Sequence, residues 1–462
     1  MKKVVDTILV LAMLASYVPG LAEDIVQEGL QESGRSKQAA ASGEETDPPA
    51  APEKPLPSAT QPDSYDAVMN VTMDTELTGE MVASTGTDEN TIHVSSGTLT
   101  VSGAAITRTS EDSSDGELAY GYGVGAAVLV TGGTAEISGS TVTTDSPGGT
   151  GLYAYGDGTI RAADTVVDTI RAGAGGVHAA AGSMLRADNL NVHTRGERAG
   201  ALLVSGGAQA MADGGSYLTE GAASPAAEVT GEVIVHGAQL TAAASEALRM
   251  SGGSTARLYD CTLSAAMAEG VWAVALDQGV DSGSMLAAIL EVNGGSIRGS
   301  GSGVFSVQGA PCQLILTGVD IQASEDSGVL LGMRDNADCT LTAIAQVLRG
   351  DAVLEGAAAL TLYLTESSVW TGCVQAEEDA WVDVCLDENS NWVVTADSRI
   401  RSLQCTGAVT DAQGLSATIL GSDGTVYLQG EGSVTVTVDT YGDGCDLSGA
   451  GESTGWAAYS DL

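Results

Sequence analysis

Along most of the chain, apolar and polar residues alternate in runs of four or five, and each run stops at glycine, serine or aspartate. The passage "VLVTGGTAEISGSTVTT", residues 128–144, shows the pattern. It reads as a strand, a glycine break, a second strand with Ala135 and Ile137 on one face, a tight turn, and a third strand carrying Val142. Period-two alternation bounded by turn residues predicts short strands. The passage recurs: glycines at 133, 158, 182, 207, 231 and 253 mark copies at steps of 25, 24, 25, 24 and 22 residues. Two copies are swollen, by "SEDSSDGELAYGYG" after Thr109 and by "WAVALDQGVDSGSM" after Val271. Three strands with their turns use about 22 to 25 residues, one turn of a parallel β-helix. The prediction is an all-β fold, a single-stranded parallel β-helix (solenoid) of about 13–15 coils. A propeller would need longer periods and more aromatic residues. A helical solenoid would be rich in Leu, Glu and Lys where this chain has Thr, Val and Gly.

The recurrence follows from geometry. A lone coil buries little and leaves its backbone edges unpaired; a neighbour about 4.8 Å away pairs them and closes the core. Every coil must therefore supply inward aliphatics at the same stations and a small residue at the same corners. Composition agrees: 43% of residues are hydrophobic, yet only 4% are aromatic, with a single Phe. That suits a narrow interior of Val, Ile, Leu and Ala.

The N-terminus, "MKKVVDTILVLAMLASYVPGLA", has the charged, apolar, small-residue order of a secretory signal, with cleavage expected after Ala22. Residues 23–64, rich in Pro, Ala, Ser and acids, read as a disordered linker. Repeats follow over 65–366, C-terminal rungs and a cap over 367–440, and a flexible tail over 441–462. The net charge is -42, and no Lys follows Lys54. Such a field argues against nucleic acid and anionic membranes as partners. These features predict a secreted or cell-surface protein with no membrane insertion after signal cleavage.

Candidate chemistry is sparse. Asp164, Asp188 and Asp213 recur at steps of 24 and 25, so one carboxylate per coil would stack. Such a column repels itself unless a cation, with calcium the natural choice, bridges it, or unless each Asp serves a turn instead. Arg161 and Arg186 precede two of the three and would offset part of their charge. The insertions place Tyr120, Tyr122 and Trp272 where binding specificity would reside, or where a loop simply packs on the wall. His93, His178, His193 and His236 lack a nucleophile context, and the pair 178 and 193 reads as solvent-facing. The text "YGDGCD" at 441–446 lacks the repeating form of a calcium loop. No Cys pair has C-x-x-C spacing, which argues against zinc. Cys312 and Cys339 occupy related places in successive coils and form a disulfide candidate.

At Trp370 the text changes. Trp370, Gly372, Val384, Leu386, Ser390, Trp392, Val394, Ser398, Ile400 and Leu403 form a W-x-G strand followed by an alternating, tryptophan-bearing run. This pattern resembles the closing rungs of autotransporter passenger domains of the pertactin and AIDA type. The resemblance implies a right-handed, pectin lyase-like β-helix displayed by a bacterium, adhesin-like, with a host or bacterial surface glycan or protein as partner. These passengers precede a translocator barrel, which this sequence does not contain. The expectation is a non-catalytic adhesin-like or surface-structural protein with no catalytic residues and no cofactor. The alternatives are a polysaccharide lyase or hydrolase on the same fold, and a calcium-dependent glycan-binding protein.

Overall fold

The computed structural model describes residues 60–278, 286–324 and 327–460. The expected signal sequence, the linker up to residue 59 and the end of the second insertion (279–285) lie outside the described residues. From Ala67 onward the chain winds into a β-solenoid of about 13 turns. One coil illustrates the rest: its strands are Val177–Ala180, Met184–Asp188 and Asn191–Thr194. Each pairs in parallel with its counterpart one coil on, at Leu202–Val204, Gln209–Asp213 and Ser216–Thr219. Three stacks result. The first and second form one 28-stranded sheet, and the third is a 10-stranded sheet followed by a 4-stranded one.

Register puts like over like. In the second stack Ile160, Leu185, Ala210, Val233, Ala256 and Leu290 form one inward column. In the third, Val142, Val167, Val192, Tyr217, Leu240 and Leu263 form another. All are buried. Where the second stack offers only Ala210 and Ala212, the third answers with Tyr217, so volume is conserved within the coil. Each buried Val, Leu or Ile contributes about 1.5–3 kcal/mol.

The corner between second and third strands needs a left-handed residue. Gly139, Asp164, Asn189, Gly214, Gly237 and Asp260 fill it in turn, with φ of 53°, 47°, 53°, 69°, 61° and 51°. Gly, Asn and Asp are the residues that enter this region most readily. The corner N–H then donates to the next coil, as from Asp164 to the Asp188 carbonyl at 3.0 Å. Gly158, one of the sequence markers, serves differently: a Cβ there would sit 2.0 Å from the Val130 carbonyl oxygen.

Trp370 and Trp392 are register partners in the third stack. They lie inside the core, stacked at 4.9 Å between centroids, and their indole N–H groups donate to Gly350 and Gly372 carbonyls at 2.9 and 3.0 Å. Beyond them a hairpin of Thr418–Gly421 and Val426–Leu428 is followed by Thr435–Gly442, which pairs in parallel with Ser398–Cys405. Of the stretch 441–462, expected as a flexible tail, residues 441–442 close that strand and residues 443–460 run along the outer wall back over the solenoid.

Candidate functional site

Outward side chains of the second stack form a central row: Met211, Ile234, Arg257, Glu291, Ile315, Thr342, Tyr363 and Cys385, each the register partner of the next. The C-terminal segment, a strap, follows this row. Cys445 bonds Cys385, with 5.6 Å between their Cα atoms. The Asp446 N–H donates to Gln404 Oε1 at 3.2 Å, and the Gly451 N–H to Thr342 Oγ1 at 2.8 Å. Ser453 Oγ donates to Glu291 Oε1 at 3.0 Å, and the Thr454 N–H shares that oxygen. The Trp456 ring lies flat on His236, 4.3 Å between centroids and 5° between planes. The Arg257 guanidinium sits 5.9 Å from the Tyr459 ring centre, and Tyr259 packs beside both rings of the strap.

From Cys445 to Trp456 the strap passes from the strand Trp381–Leu386 to the strand Glu232–His236. Six coil spacings amount to about 29 Å. Eleven residues reach at most about 36–40 Å, so the strap is close to extended. It covers the row. Ile234, Tyr259, Ile315 and Thr342 face outward yet are buried, and Glu291 is only 2% exposed. Burial, then Glu291, push the Tyr259 phenol well above its ordinary range. Two clefts open at the strap's root. One of about 220 Å³ lies between Tyr363, Asp383, Gln404 and Ser448, and one of about 640 Å³ lies against Ser402 and residues 440–446.

A second cluster sits on the first stack, where the insertion after Thr109 folds into helix α1, Glu117–Tyr122. Asp115 pairs with Arg198 at 2.7 Å, fixing the insertion to the wall. The Tyr153 hydroxyl donates to the Tyr120 carbonyl at 2.6 Å, and both rings pack on His178. The Tyr120 hydroxyl points at Glu228, 3.5 Å away; that carboxylate, together with burial, holds the phenol well above its usual range. Beyond it Arg249 pairs with Asp277 at 2.9 Å. Tyr122 packs on Tyr155, 5.5 Å between ring centres. Trp272 lies across the backbone of the next two coils, where Gly303 and Gly332 leave room for its ring. All three aromatic residues of the insertions are thus engaged with the wall. His178 does not face solvent as its place in the repeat predicts: it is 1% exposed beneath α1, with Nε2 2.9 Å from Ser205 Oγ.

The aspartates do not form one column. Asp188 and Asp213 are register partners, but Ala163 rather than Asp164 lies opposite Asp188. Asp164 accepts from Asn189 Nδ2 at 2.7 Å, Asp188 pairs with Arg186 at 3.2 Å, and Asp213 accepts from or pairs with His236 Nδ1 at 2.8 Å. Arg161 reaches Glu136, not Asp164. Among the described residues no group of three or more His, Cys, Asp or Glu is placed to hold a metal ion. Cys312 and Cys339 are indeed register partners, but both are free and buried; a hydrogen bond between them, with burial, raises the Cys339 thiol well above its ordinary range. The disulfide falls instead between Cys385 and Cys445, a pair that coil spacing could not reveal because Cys445 lies outside the coils. No family model matches the chain, and no curated protein matches it.

Proposed function

We propose that this is an exported, non-catalytic β-helical protein with an adhesin-like or surface-structural role, meeting a surface glycan or protein. The observation that carries this reading is the continuous apolar core, mostly aliphatic, which makes a stiff rod of about 13 turns, on the order of 60 Å at the ordinary strand spacing. A rod suits display. Ion pairs link successive coils along its wall, with Arg171 on Asp145, Arg195 on Asp168 and Arg257 on Glu232. The signal-like N-terminus and the likeness of the Trp370–Leu403 rungs to autotransporter passengers support the same compartment and role.

The test has two arms. Antibody labelling and fractionation of the producing cells should place the protein outside the cytoplasm; retention in the cytoplasm overturns the reading. A glycan array run with and without EDTA, followed by a reducing-sugar assay on any hit, should give binding that EDTA leaves unchanged and no sugar release. Release of sugar would make it a polysaccharide-processing enzyme, and loss of binding in EDTA a calcium-dependent lectin.

A further inference from the structure

We propose that the central outward row of the second stack is a recognition strip for extended polypeptide, and that residues 446–460 are its built-in occupant. Before the strap's reach the row runs Thr100, Glu136, Arg161, Arg186 and Met211, mostly polar. Under the strap it gains Ile234, Ile315 and Tyr363, flanked by His236 and Tyr259. Under the strap these apolar positions are interspersed with Arg257, Glu291 and Thr342, so the covered row offers apolar surface and hydrogen-bonding groups together.

The contacts are those of peptide recognition. Wall acceptors, Thr342 Oγ1 and Glu291 Oε1, take main-chain N–H groups of Gly451 and Thr454. Two rings three residues apart, Trp456 and Tyr459, are read by a flat imidazole and a guanidinium. Such rings carry most of the energy of small interfaces. The strap itself forms no strand; its one regular element is the short turn Trp456–Ala458. Gly, Ser, Thr and Ala make up most of the rest. Removing it takes nothing from the inward core and leaves the Arg257–Glu291 pair facing water.

The partner that fits is a segment of another protein, extended, with a Gly/Ser/Thr run followed by two aromatic residues three apart. It competes with the strap, whose tether at Gly442 gives it a high effective concentration. This adds a partner class to the surface role above and rests on that reading only for where the partner is met; the fractionation and glycan results can stand while the strip binds nothing.

The experiment uses the full chain and a chain ending at Ser448, which keeps both Cys385 and Cys445. The probe is a fluorescein-labelled peptide of residues 449–460, read by anisotropy. Binding to the shortened chain should be at least tenfold tighter than to the full chain. Trp456→Ala in the peptide, or His236→Ala with Glu291→Gln in the shortened chain, should each weaken it at least tenfold. Equal or absent binding to the two chains overturns the proposal, as does binding indifferent to these substitutions. Loss of the strand circular-dichroism signal on shortening also overturns it, because the strap would then be part of the fold. A concentration-dependent dimer of the full chain that shortening abolishes would make the occupant a second copy, against the partner proposed.

Discussion

At the scale of single residues, the end of the solenoid is held by carboxylates that act as caps. Asp411 accepts N–H donors from Ser433, Gln413 and Leu415, and the Ser433 bond above all draws its carboxyl below the usual range. Burial would raise Asp387, but the Ser390 hydroxyl and the Glu366 and Asn389 amides more than offset it, so its carboxyl also lies low. Asp423, bonded first by the Thr425 amide, behaves likewise. A carboxyl whose folded pKa is depressed adds stability that is present above its unfolded value, about 4, and lost as pH falls through the folded value. The cap and its rungs should therefore weaken below about pH 4. Asp411→Asn removes one acceptor at every pH. Its urea midpoint, followed by emission from Trp370, Trp381 and Trp392, should fall below that of the parent at pH 7 and converge with it at pH 3. An equal gap at both pH values would contradict the assignment.

At the scale of elements, the corner column shows what the sequence could and could not convey. Ala345 occupies this corner with φ 47°, although its neighbours in the column are mostly Gly, Asp or Asn. A left-handed Ala costs about 1–2 kcal/mol, part of which Gly loses again through the freer unfolded chain. Ala345→Gly should stabilise by up to about 1 kcal/mol, while Ala345→Val should destabilise, its β-branch meeting the same strain. Chemical unfolding of the two variants checks both signs. The same column explains the misread aspartates. In this stretch the true period is 25, since Ala163 faces Asp188 and Asp188 faces Asp213, so a step of 24 lands one position off and moves Asp164 from strand to corner. Strands, inward faces and coil count were legible because repetition displays them many times over. Helix α1 and the strap were not: each occurs once, and their contacts span 108 residues between Tyr120 and Glu228 and 160 between Asn293 and Ser453.

At the scale of the molecule, a solenoid touches only its neighbours, so it is expected to fray from its ends. The strap departs from that rule by tying the rungs at Cys385 to the coil of His236. The disulfide closes a loop of 60 residues, worth about 4 kcal/mol against a fully unfolded chain in the loop-entropy picture. Against the strap alone it matters less, because the paired strand Thr435–Gly442 already tethers the segment three residues earlier. Cys445→Ser should therefore separate the two effects. Global unfolding should need less denaturant, since the long loop is no longer closed in the unfolded chain. In the native state only the strap's root should loosen, so proteolysis within 443–455 should quicken several-fold while the coils from Thr255 to Thr317 stay resistant. If those coils become equally cleavable, the strap is a structural staple on which the rod depends, and the strip beneath it is a packing surface instead of a place for a partner.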